Sequence, residues 1–585
     1  MLKLGLDSFR IAIMQSSEIR QKFLEFFKSI GHVVVPSSSL IPDNDPSVLL
    51  TTAGMQQFKP YFQGLKSPEE DFGSRKLASI QKSFRTSDIN EVGDNTHHTF
   101  FEMLGNFAIG DYFKKEAIVY AWDFVTKELG LSEDRLFVTV FAGSEGVPED
   151  KEAYQIWQKT VPGVEIRKLG RTDNFWGPPG DSGPCGPSSE IYYKTHSGEV
   201  EIWNLVFTEY DSDKEGQLSP LSQKNIDTGL GMERLVSILQ GKESAYETDL
   251  FLPIITAIEE LVEVGGKENK AIKSVKIMSD HIRGAVFLSA DGVIPSNVGR
   301  GYVLRRLIRR AIMHGQLMSI NGRFLATLAE PVIDSYSGSY PELKTNKQTV
   351  ITMLEDEEAK FDQTLKNGLK EFAKFEQKGS ISSEEAFRLF QSFGFPVELT
   401  TDLAKQKKLS ANTDEFEKYF LEHQEKSRGG EKEYKGGLAE VSERTTRMHT
   451  ATHLLHQALR TVLGDGVAQK GSNITNDRLR FDFSYSNKLT QEQLQQVQDL
   501  VNEKINKGLE VTREEMSLEE AKKSGAIGLF EQKYGDKVSV YTIGDFSKEF
   551  CGGPHVTNTK EIGLFKIQKE EAVASGIRRI KATVT

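Results

Sequence analysis

Apolar residues recur at helical spacing in several stretches of the chain. Large apolar side chains fall every three or four positions between Ile19 and Ile30, within 115–129 and within 302–314. Because this period places them on one face of a helix, the pattern predicts three amphipathic helices, each with one buried face. Gly31 is positioned to end the first of them.

Shorter apolar runs predict strands between these helices. Residues 33–36 (VVVP) and 201–207 (EIWNLVF) are typical of short strands, and 48–250 alternates such runs with short helices. The pattern of 250–425 is mostly helical. The glycines and prolines of 173–187 predict an irregular loop, and an elaborate loop often lines a site.

The length of the chain bears on its division into domains. A chain of 585 residues is too long for one hydrophobic core and predicts about three or four domains. A charged, glycine-rich stretch near residue 430 is typical of a linker. We therefore expect four parts, namely 1–250, 251–426, the linker 427–438, and 439–585.

Composition restricts the class of protein. With 38% hydrophobic and 27% charged residues, the chain is typical of a soluble globular protein. No apolar run approaches the roughly 20 residues of a membrane span, and the first residues lack a signal-peptide pattern. The two cysteines, Cys185 and Cys551, lie far apart, which argues against a disulfide framework and favours a reducing cytoplasm. The net charge is −11, so the overall charge does not indicate a nucleic-acid-binding protein, and any RNA contact would have to come from a local basic surface.

Two stretches carry residues suited to a nucleotide. In the first, Arg85 is suited to clamping a phosphate through its guanidinium fork. Phe100 or Phe101 offers a flat face for a base, and His97 or His98 a further donor.

The second stretch, 227–234 (DTGLGMER), contains two glycines that allow close approach of backbone and ligand, and ends at Arg234. For either arginine alone, a buried pair with a carboxylate is the common alternative.

The predicted helix 302–314 carries a basic strip. Its apolar residues fall on one face, and four arginines with no acidic residue among them fall on the other: Arg305, Arg306, Arg309 and Arg310. A solvated face is the usual explanation of a charge run. Here the strip predicts binding of a phosphate backbone in an otherwise acidic protein.

A second constellation is suited to a metal. His449 and His453 are four residues apart on one helix face, and Cys551 and His555 follow about a hundred residues later in a glycine turn. One sulfur and three nitrogens suit tetrahedral zinc. His456 shares the helix face and is a rival ligand. The stretch 449–453 (HTATH) lacks the glutamate of a zinc metalloprotease.

The chain resembles the alanyl-tRNA synthetases, a family of class II aminoacyl-tRNA synthetases. Its phrases 50–58 (LTTAGMQQF), 98–106 (HTFFEMLGN) and 227–234 carry the likeness, which extends from about residue 17 to about 579. The resemblance implies an α+β fold with a class II antiparallel sheet and flanking helices. It further implies a helical tRNA-recognition domain over 251–426 and an α+β zinc-binding editing domain over 439–585.

The resemblance also assigns roles in ligation. Arg85 would hold the α-phosphate of ATP and Arg234 the γ-phosphate, with Asp227 as the third catalytic residue. Phe101 would stack on adenine, His97 joins the ATP-binding residues, and magnesium would bridge the phosphates. Four residues would form the alanine pocket: Trp176, Asn204, Asp227 and Gly229.

The resemblance also implies which residues recognise tRNA and which take part in editing. The family reads a wobble pair in tRNA(Ala) with an asparagine, matched by Asn297, and an aspartate, replaced here by Glu398. The four proposed zinc ligands match the family's editing module, which also has a Gln-Lys-Gly segment, matched at Gln469. We expect Thr450, Thr452 and Gln469 to bond the serine hydroxyl of mischarged tRNA.

The chain departs from the family pattern in two places. The linker 427–438 stands where a β-barrel subdomain is usual, and the usual C-terminal coiled coil and globular domain are missing. Either the enzyme is naturally compact or the sequence is a piece of a longer chain. Because the family's dimer contacts lie largely in that C-terminal part, we expect a monomer. A tRNA-binding or editing protein with an inactive ligase site is the alternative function. Intact phosphate arginines and Asp227 argue against it. A third alternative, a zinc hydrolase that acts on something other than RNA, would leave residues 1–425 unexplained.

Overall fold

The chain separates into two compact units, Met1–Thr413 and Asp414–Thr585, in the computed structural model. The expected boundary at 250 falls inside the first unit, and the expected linker 427–438 lies outside the described residues. The structure describes residues 14–43, 45, 48–144, 146–178, 180, 182–262, 269–393, 395, 397–412, 415, 416, 418, 419, 442–485, 487–517, 520, 521, 524–526, 537–574 and 577–585.

A nine-stranded, mainly antiparallel sheet forms the first part of the unit Met1–Thr413. Its path is β1-β2-β3-β9-β8-β7-β4-β5, with β6 paired to β7 and parallel pairs only at β1–β2 and β4–β5. The strands are β1 Val33–Val34, β2 Lys76–Phe84, β3 Phe100–Ile109, β4 Leu136–Phe141, β5 Glu165–Leu169, β6 Phe175–Trp176, β7 Gly183–Lys194, β8 Glu199–Ser212 and β9 Leu218–Gly231.

Helices flank the sheet and continue beyond it. They are α1 Ser16–Ser29, α2 Lys59–Phe62, α3 Pro68–Phe72, α4 Lys114–Asp123, α5 Lys151–Thr160, α6 Arg171–Asn174, α7 Met232–Leu239, α8 Leu252–Leu261, α9 Asn269–Ala290, α10 Gly299–Leu317, α11 Leu325–Tyr336, α12 Pro341–Thr345, α13 Lys347–Lys378, α14 Ser383–Phe393 and α15 Val397–Gln406. Two short strands, β10 Ser380–Ile381 and β11 Ser410–Ala411, pair in parallel.

The predicted helices are confirmed with shifted ends. The first is α1, and the third lies within α10. The second begins as α4 and continues as a π-helical turn, Phe124–Glu128. The predicted loop 173–187 is wrong at both ends. Phe175–Trp176 pairs with the first half of Gly183–Lys194. The strand accommodates its prolines because Pro184 lies at its start and Pro187 lies where the pairing with β8 shifts register.

The helical layer covers one face of β3. Phe100 on that face stacks on Phe287 of α9, with ring centroids 4.0 Å apart. The buried Arg283 of α9 donates to Glu233 of α7 and to the backbone oxygen of Phe100. Since neighbouring residues of a strand face opposite ways, Phe101 is turned to the other side of the sheet, where the cavity described below lies.

The second unit combines two sheets with two helices. Its strands are β12 Gln469–Ile474, β13 Leu479–Ser484, β14 Val511–Ser517, β15 Lys537–Ile543, β16 Ser547–Phe550, β17 Phe565–Ala574 and β18 Ile577–Val584, and its helices are α16 Glu443–Leu463 and α17 Gln491–Lys507. The sheet β12-β13-β18-β17 shares an apolar core with both helices, and β14-β15-β16 forms a separate antiparallel sheet.

Helix α16 is buried along much of its length. Ser442 caps its first turn, and Met448, Leu455 and Leu459 enter the core fully buried. Burial on this side fixes the rotation of the helix and so the direction of its histidines. Among the described residues, no helix combines the length and the apolar character that a membrane crossing requires.

Candidate nucleotide site and candidate metal centre

A cavity of about 320 Å³ brings the two predicted nucleotide stretches together. Arg85, at the end of β2, and Arg234, in α7, both line it. They meet because β3 pairs with β2 on one side and with β9 on the other. Long-range strand pairing therefore builds the site from segments far apart in the sequence.

The cavity walls are suited to an anion beside a flat ring. The guanidinium carbon of Arg85 lies 4.9 Å from the centroid of the Phe101 ring. Arg234 Nη1 donates to Glu201 Oε2 at 2.7 Å and to the Glu201 backbone oxygen at 3.1 Å. Desolvation in the cavity, with a contribution from Arg234, lowers the pKa of Arg85 from its ordinary value. A bound polyphosphate would relieve this crowding of like charges.

Geometry separates the two phenylalanines of the first stretch but not the two histidines. Phe101 lines the cavity, whereas Phe100 packs on the opposite face of the sheet. His97 and His98 both line the cavity; His97 is half-buried, whereas His98 is buried with its ring 5.3 Å from that of Phe251. The structure thus turns Phe101 towards the site and leaves both histidines as candidate donors.

Three residues predicted for the amino-acid pocket share a face of adjacent strands. Asn204 of β8 stands opposite Gly229 of β9, and Asp227 lies two residues before Gly229 on the same side. Gly229 and Met103 also line the cavity, so the pocket adjoins the nucleotide site. A Cβ at Gly229 would stand 3.0 Å from Met103 Sδ, so a side chain there would crowd the pocket.

The pocket contains two oxygen acceptors that the protein does not use. The carboxylate of Asp227 is 6% exposed and has no hydrogen-bond or ion-pair partner among the described residues. Burial raises the pKa of Asp227 to about 7. Asn204 Nδ2 donates to Glu190 Oε1 at 3.0 Å, while its Oδ1 is buried and unpartnered within the described chain. Buried acceptors of this kind need a donor from outside the protein, which a ligand or a water can supply.

Trp176, the fourth residue predicted for the amino-acid pocket, lies in a different environment. It pairs with Gly186 in the sheet and packs against an apolar cluster that includes Phe58 and Phe107. It is not one of the residues that line the 320 Å³ cavity. Its predicted contact with alanine stays a prediction.

In the second unit, the four predicted metal ligands converge. Their candidate ligand atoms all lie within 4.8 Å of one another: His449, His453, Cys551 and His555. Helix α16 supplies the first two, one turn apart, and the segment after β16 supplies the others. The rings of His449 and His555 stack at 4.1 Å.

Hydrogen bonds fix which histidine nitrogens face the centre. His449 Nδ1 lies 2.9 Å from the Pro554 backbone oxygen, which leaves Nε2 towards Cys551 Sγ at 3.3 Å. His555 Nδ1 lies 3.1 Å from Thr450 Oγ1, and its Nε2 is buried without a partner in the described structure. Such outer contacts are typical of metal-binding histidines.

The electrostatics of the centre also suit a cation. Burial, with a contribution from His453, lowers the pKa of His449 to about 3, and burial lowers the pKa values of His453 and His555. The imidazoles are therefore neutral, as metal binding requires. Burial raises the pKa of Cys551 to about 12, so its thiolate needs a neighbouring cation.

Comparisons with known proteins identify the family to which the chain belongs. The family described as tRNA synthetases class II (A) matches residues 18–471, and the one described as Threonyl and Alanyl tRNA synthetase second additional domain matches 538–581. The alanine–tRNA ligase of Treponema denticola is 49% identical, over 97% of this chain and 98% of its own length. That of Borrelia hermsii is 46% identical over 97% and 99%.

The chain belongs to the alanine–tRNA ligase family. A more distant member, from Thermotoga maritima, is 42% identical over 97% of this chain and 80% of its own length. The α+β fold predicted from the sequence is confirmed by the class II match and by the mainly antiparallel sheet with its helices.

The prediction that the four arginines of α10 form a solvent-exposed basic strip needs correction. Arg310 is only 3% exposed and donates to the Ile89 backbone oxygen, so it does not lie on a solvent face. Arg305 and Arg309 form ion pairs with Glu357 of α13, at 2.9 and 3.1 Å. The acidic partner of these arginines thus belongs to another helix, and the sequence pattern of α10 alone could not predict it.

The two residues predicted to read the tRNA, Asn297 and Glu398, lie in different parts of the helical layer. Asn297 is exposed just before α10, and its Oδ1 accepts a hydrogen bond from Arg305. Arg306 donates to Asn90 Oδ1 at 2.6 Å. Glu398 belongs to α15, but its side chain lies outside the described structure.

The predicted editing hydroxyls have partners within the protein. Thr450 is fully buried, and its Oγ1 accepts from the Val556 backbone and contacts His555. Thr452 Oγ1 donates to the Met448 backbone oxygen at 2.9 Å. Gln469 begins β12 and is half-buried. The structure therefore shows Thr450 in contact with His555, one of the predicted zinc ligands.

Two acidic residues at these sites were missed by sequence reasoning. Glu549 lies with its Oε1 3.0 Å from His456 Nδ1 and its Oε2 3.3 Å from His453 Nδ1. Burial by itself raises the pKa of Glu549, but His453 and His456 hold it below its ordinary value. Glu190 is the other. Glu549 lies in the four-residue strand SKEF, and Glu190 follows two serines in a strand that begins GPCGP, so no local sequence pattern marks either residue as buried.

Proposed function

We propose that this protein joins alanine to the 3′ end of tRNA(Ala) at the expense of ATP, and that its second unit hydrolyses mischarged tRNA. The observation that carries the ligase assignment is the pairing of two cavity arginines with an adjacent pocket of unpartnered acceptors. Membership of the alanine–tRNA ligase family supports it.

Activation would begin with attack of the alanine carboxylate on the α-phosphorus of ATP. A new O–P bond forms to give alanyl-adenylate, and the bond to the bridging oxygen breaks to release pyrophosphate. Arg85 would hold the α-phosphate and Arg234 the γ-phosphate, while Phe101 stacks on adenine and His97 donates a hydrogen bond. Charge stabilisation by positioned cations supplies much of the rate in such transfers.

Magnesium, when bound with ATP, would neutralise part of the phosphate charge. It keeps several waters and needs only one or two carboxylates. Glu201 and Glu233 line the cavity near Arg234, and they fit this requirement.

Alanine would bind through its ammonium group. Asp227 supplies a charge and Asn204 Oδ1 a second acceptor, both beside Gly229. The methyl group would then occupy a small space near Met103 and Trp176. A neutral acceptor and a carboxylate together match the N–H donors of a primary ammonium.

In the second step, a ribose hydroxyl of the tRNA 3′ end attacks the adenylate carbonyl. An ester bond forms, AMP leaves with the pair of electrons of the broken mixed-anhydride bond, and the hydroxyl proton passes to the phosphate of the departing AMP. Asn297 and the carboxylate of Glu398 would read the acceptor stem. Arg305, which donates to Asn297, and its helix neighbours Arg306 and Arg309 would contact phosphates, whereas the buried Arg310 would support the helix.

Zinc fits the centre in the second unit. Three neutral imidazoles and one thiolate are a donor set that tetrahedral zinc takes, and His555 Nε2 is buried without a partner among the described residues. Zinc would polarise a carbonyl or a water there. The residues of this chain would hold the mischarged 3′ end, with Gln469 and Thr452 near the entering aminoacyl group.

A second site is needed because the alanine pocket discriminates weakly. Glycine differs from alanine by one methyl group, worth roughly 1–3 kcal/mol, and a small apolar pocket rejects an added hydroxyl by only about a hundredfold. Glycyl- and seryl-tRNA are therefore the expected substrates of the second unit. We further propose a cytoplasmic monomer.

The ligase assignment is tested by ATP–pyrophosphate exchange with each amino acid in turn. Exchange dependent on alanine is expected, followed by charging of tRNA(Ala). Binding of tRNA without any amino-acid-dependent exchange would instead establish the alternative, an editing or tRNA-binding protein with an inactive ligase site.

The editing assignment is tested by deacylation of seryl-tRNA(Ala). The wild-type protein should hydrolyse it and spare alanyl-tRNA(Ala). Cys551→Ala should lose this hydrolysis yet still charge alanine, because the two sites use different residues. Equal hydrolysis by the variant would show that the metal centre has a structural role.

A further inference from the structure

The side-chain amide of Asn204 has no intrinsic orientation. Its oxygen and nitrogen are nearly equal in size, and a half-turn exchanges an acceptor for donors. An ammonium group needs the oxygen. The alanine pocket described above therefore works only if another residue holds the nitrogen away from the substrate.

Glu190 is placed to do this. It stands opposite Asn204 in the β7–β8 pairing, and its Oε1 accepts from Asn204 Nδ2 at 3.0 Å. Glu190 is 5% exposed. With the nitrogen bonded behind, Oδ1 is the amide atom left for a ligand, and it is buried without a partner in the described residues.

Glu190 is itself fixed from the opposite side. Tyr192 donates its hydroxyl to Oε2 at 3.0 Å, and Thr139 Oγ1 lies 3.4 Å from the same atom. Thr139 also accepts from the Glu190 backbone at 3.2 Å and from Asn174 Nδ2 at 2.8 Å. These contacts join β4, β7 and α6 into one support behind the pocket.

The charge state of Glu190 suits this position. Burial, with a contribution from Glu201, raises the pKa of Glu190 to about 8. The neutral acid keeps an acceptor for Asn204 without adding a second negative charge near Asp227. A glutamine, which is neutral and of the same shape, preserves the acceptor.

We propose that Glu190 is a positioning residue for amino-acid recognition, which fixes the Asn204 amide so that Oδ1 faces the alanine ammonium. The proposal rests on the alanine pocket of the proposed function. Loss of the contact should weaken alanine binding, because the amide then rotates and must be reordered by the substrate. Binding of ATP, which uses Arg85 and Arg234, should change little.

The experiment is ATP–pyrophosphate exchange by the full-length protein, with alanine and ATP varied separately. Glu190→Ala should raise the KM for alanine roughly 10- to 100-fold, with kcat and the KM for ATP close to wild type. Glu190→Gln should restore most of the alanine affinity. Glu165→Ala, an exposed acidic residue on β5, is the matched control.

A double-mutant cycle separates this proposal from the pocket on which it rests. Glu190→Ala should add little to Asn204→Ala, since both remove the same oriented acceptor. If Asn204→Ala leaves the KM for alanine unchanged, the proposed pocket is wrong. If Asn204→Ala raises it but Glu190→Ala does not, or the two effects multiply fully, the positioning role is wrong.

Folding is checked by circular dichroism and thermal melting of each variant. Should Glu190→Ala fail to fold, Glu190→Asp withdraws the carboxyl by one methylene without removing the acid. A raised KM for alanine in Glu190→Asp, with Glu190→Gln near wild type, supports the proposal. A normal KM in Glu190→Asp, or a raised KM in Glu190→Gln equal to that of Glu190→Asp, overturns it.

Discussion

The sulfur of Cys551 lies 3.3 Å from Nε2 of His449, across 102 residues of sequence. Both side chains are buried, and the imidazole is neutral because burial lowers its pKa. A neutral nitrogen and a potential thiolate at this distance are the two kinds of donor that zinc prefers.

We expect the purified protein to contain one zinc ion per chain. Cys551→Ala should lose most of it, because the thiolate is the only anionic ligand of the set. Elemental analysis after dialysis measures the content. Cys185→Ala alters the other cysteine, which lies in an apolar cluster of the first unit, and should retain zinc. Full zinc content in Cys551→Ala would contradict the ligand assignment.

The carboxylate of Glu549 should tune the affinity for zinc. Its Oε2 lies 3.3 Å from His453 Nδ1 and its Oε1 3.0 Å from His456 Nδ1, so it places a negative charge beside one of the predicted ligands. Loss of an outer-shell carboxylate typically costs 10–100-fold in metal affinity. We expect that loss in Glu549→Ala, measured by competition with a chelator. Glu571→Ala, an acidic residue in β17 of the same unit, is the control, and equal affinities in both variants would exclude the role.

Arg85→Ala should abolish most of the pyrophosphate exchange without unfolding the protein. Removal of one charge-stabilising contact typically costs on the order of 3 kcal/mol in the transition state, or roughly a hundredfold in rate. Arg75→Ala removes an arginine from the same unit that pairs with Glu69 at the surface, and should leave exchange intact. Near-normal exchange by Arg85→Ala would refute its contact with the reacting phosphate.

Alanine binding should strengthen as pH rises. Burial raises the pKa of Asp227 to about 7, so in the free enzyme the carboxyl is largely protonated below that pH and ionised above it. The ammonium needs the ionised form. The KM for alanine should therefore fall by up to about tenfold per pH unit below 7 and level off above it.

Steady-state exchange between about pH 6 and 8 measures this dependence. Asp227→Asn cannot ionise, so its weaker binding should lose the pH dependence over this range. A wild-type KM that is constant across the range would show that Asp227 is already ionised in the free enzyme.

Asn297 should contribute to the choice of tRNA. Its amide is exposed, and Arg305 donates to its Oδ1, which leaves the amide N–H groups free to face the acceptor stem. Loss of a specific base contact typically costs about 1–3 kcal/mol. We expect Asn297→Ala to lower kcat/KM for charging the wobble-pair tRNA, and wild type to charge a G·C variant poorly. Equal charging of both tRNAs by wild type would show another mode of recognition.

Local periodicity was sufficient for several features of this protein. The spacing of His449 and His453 already places both imidazoles on one helix face, because four residues complete about one turn. The same holds for the amphipathic faces of α1 and α10. Family motifs then indicated the residue types that would meet phosphate, ammonium and zinc.

The partners of these residues depended on tertiary structure. Strand pairing set Glu190 behind Asn204, and packing of α13 placed Glu357 against Arg305 and Arg309. Helix packing also buried Arg310, which a periodic pattern had placed in solvent. The physical reason is range: helical and strand periods are set by neighbours in sequence, whereas ion pairs, tautomers and orphaned acceptors are set by residues that only the folded chain brings together.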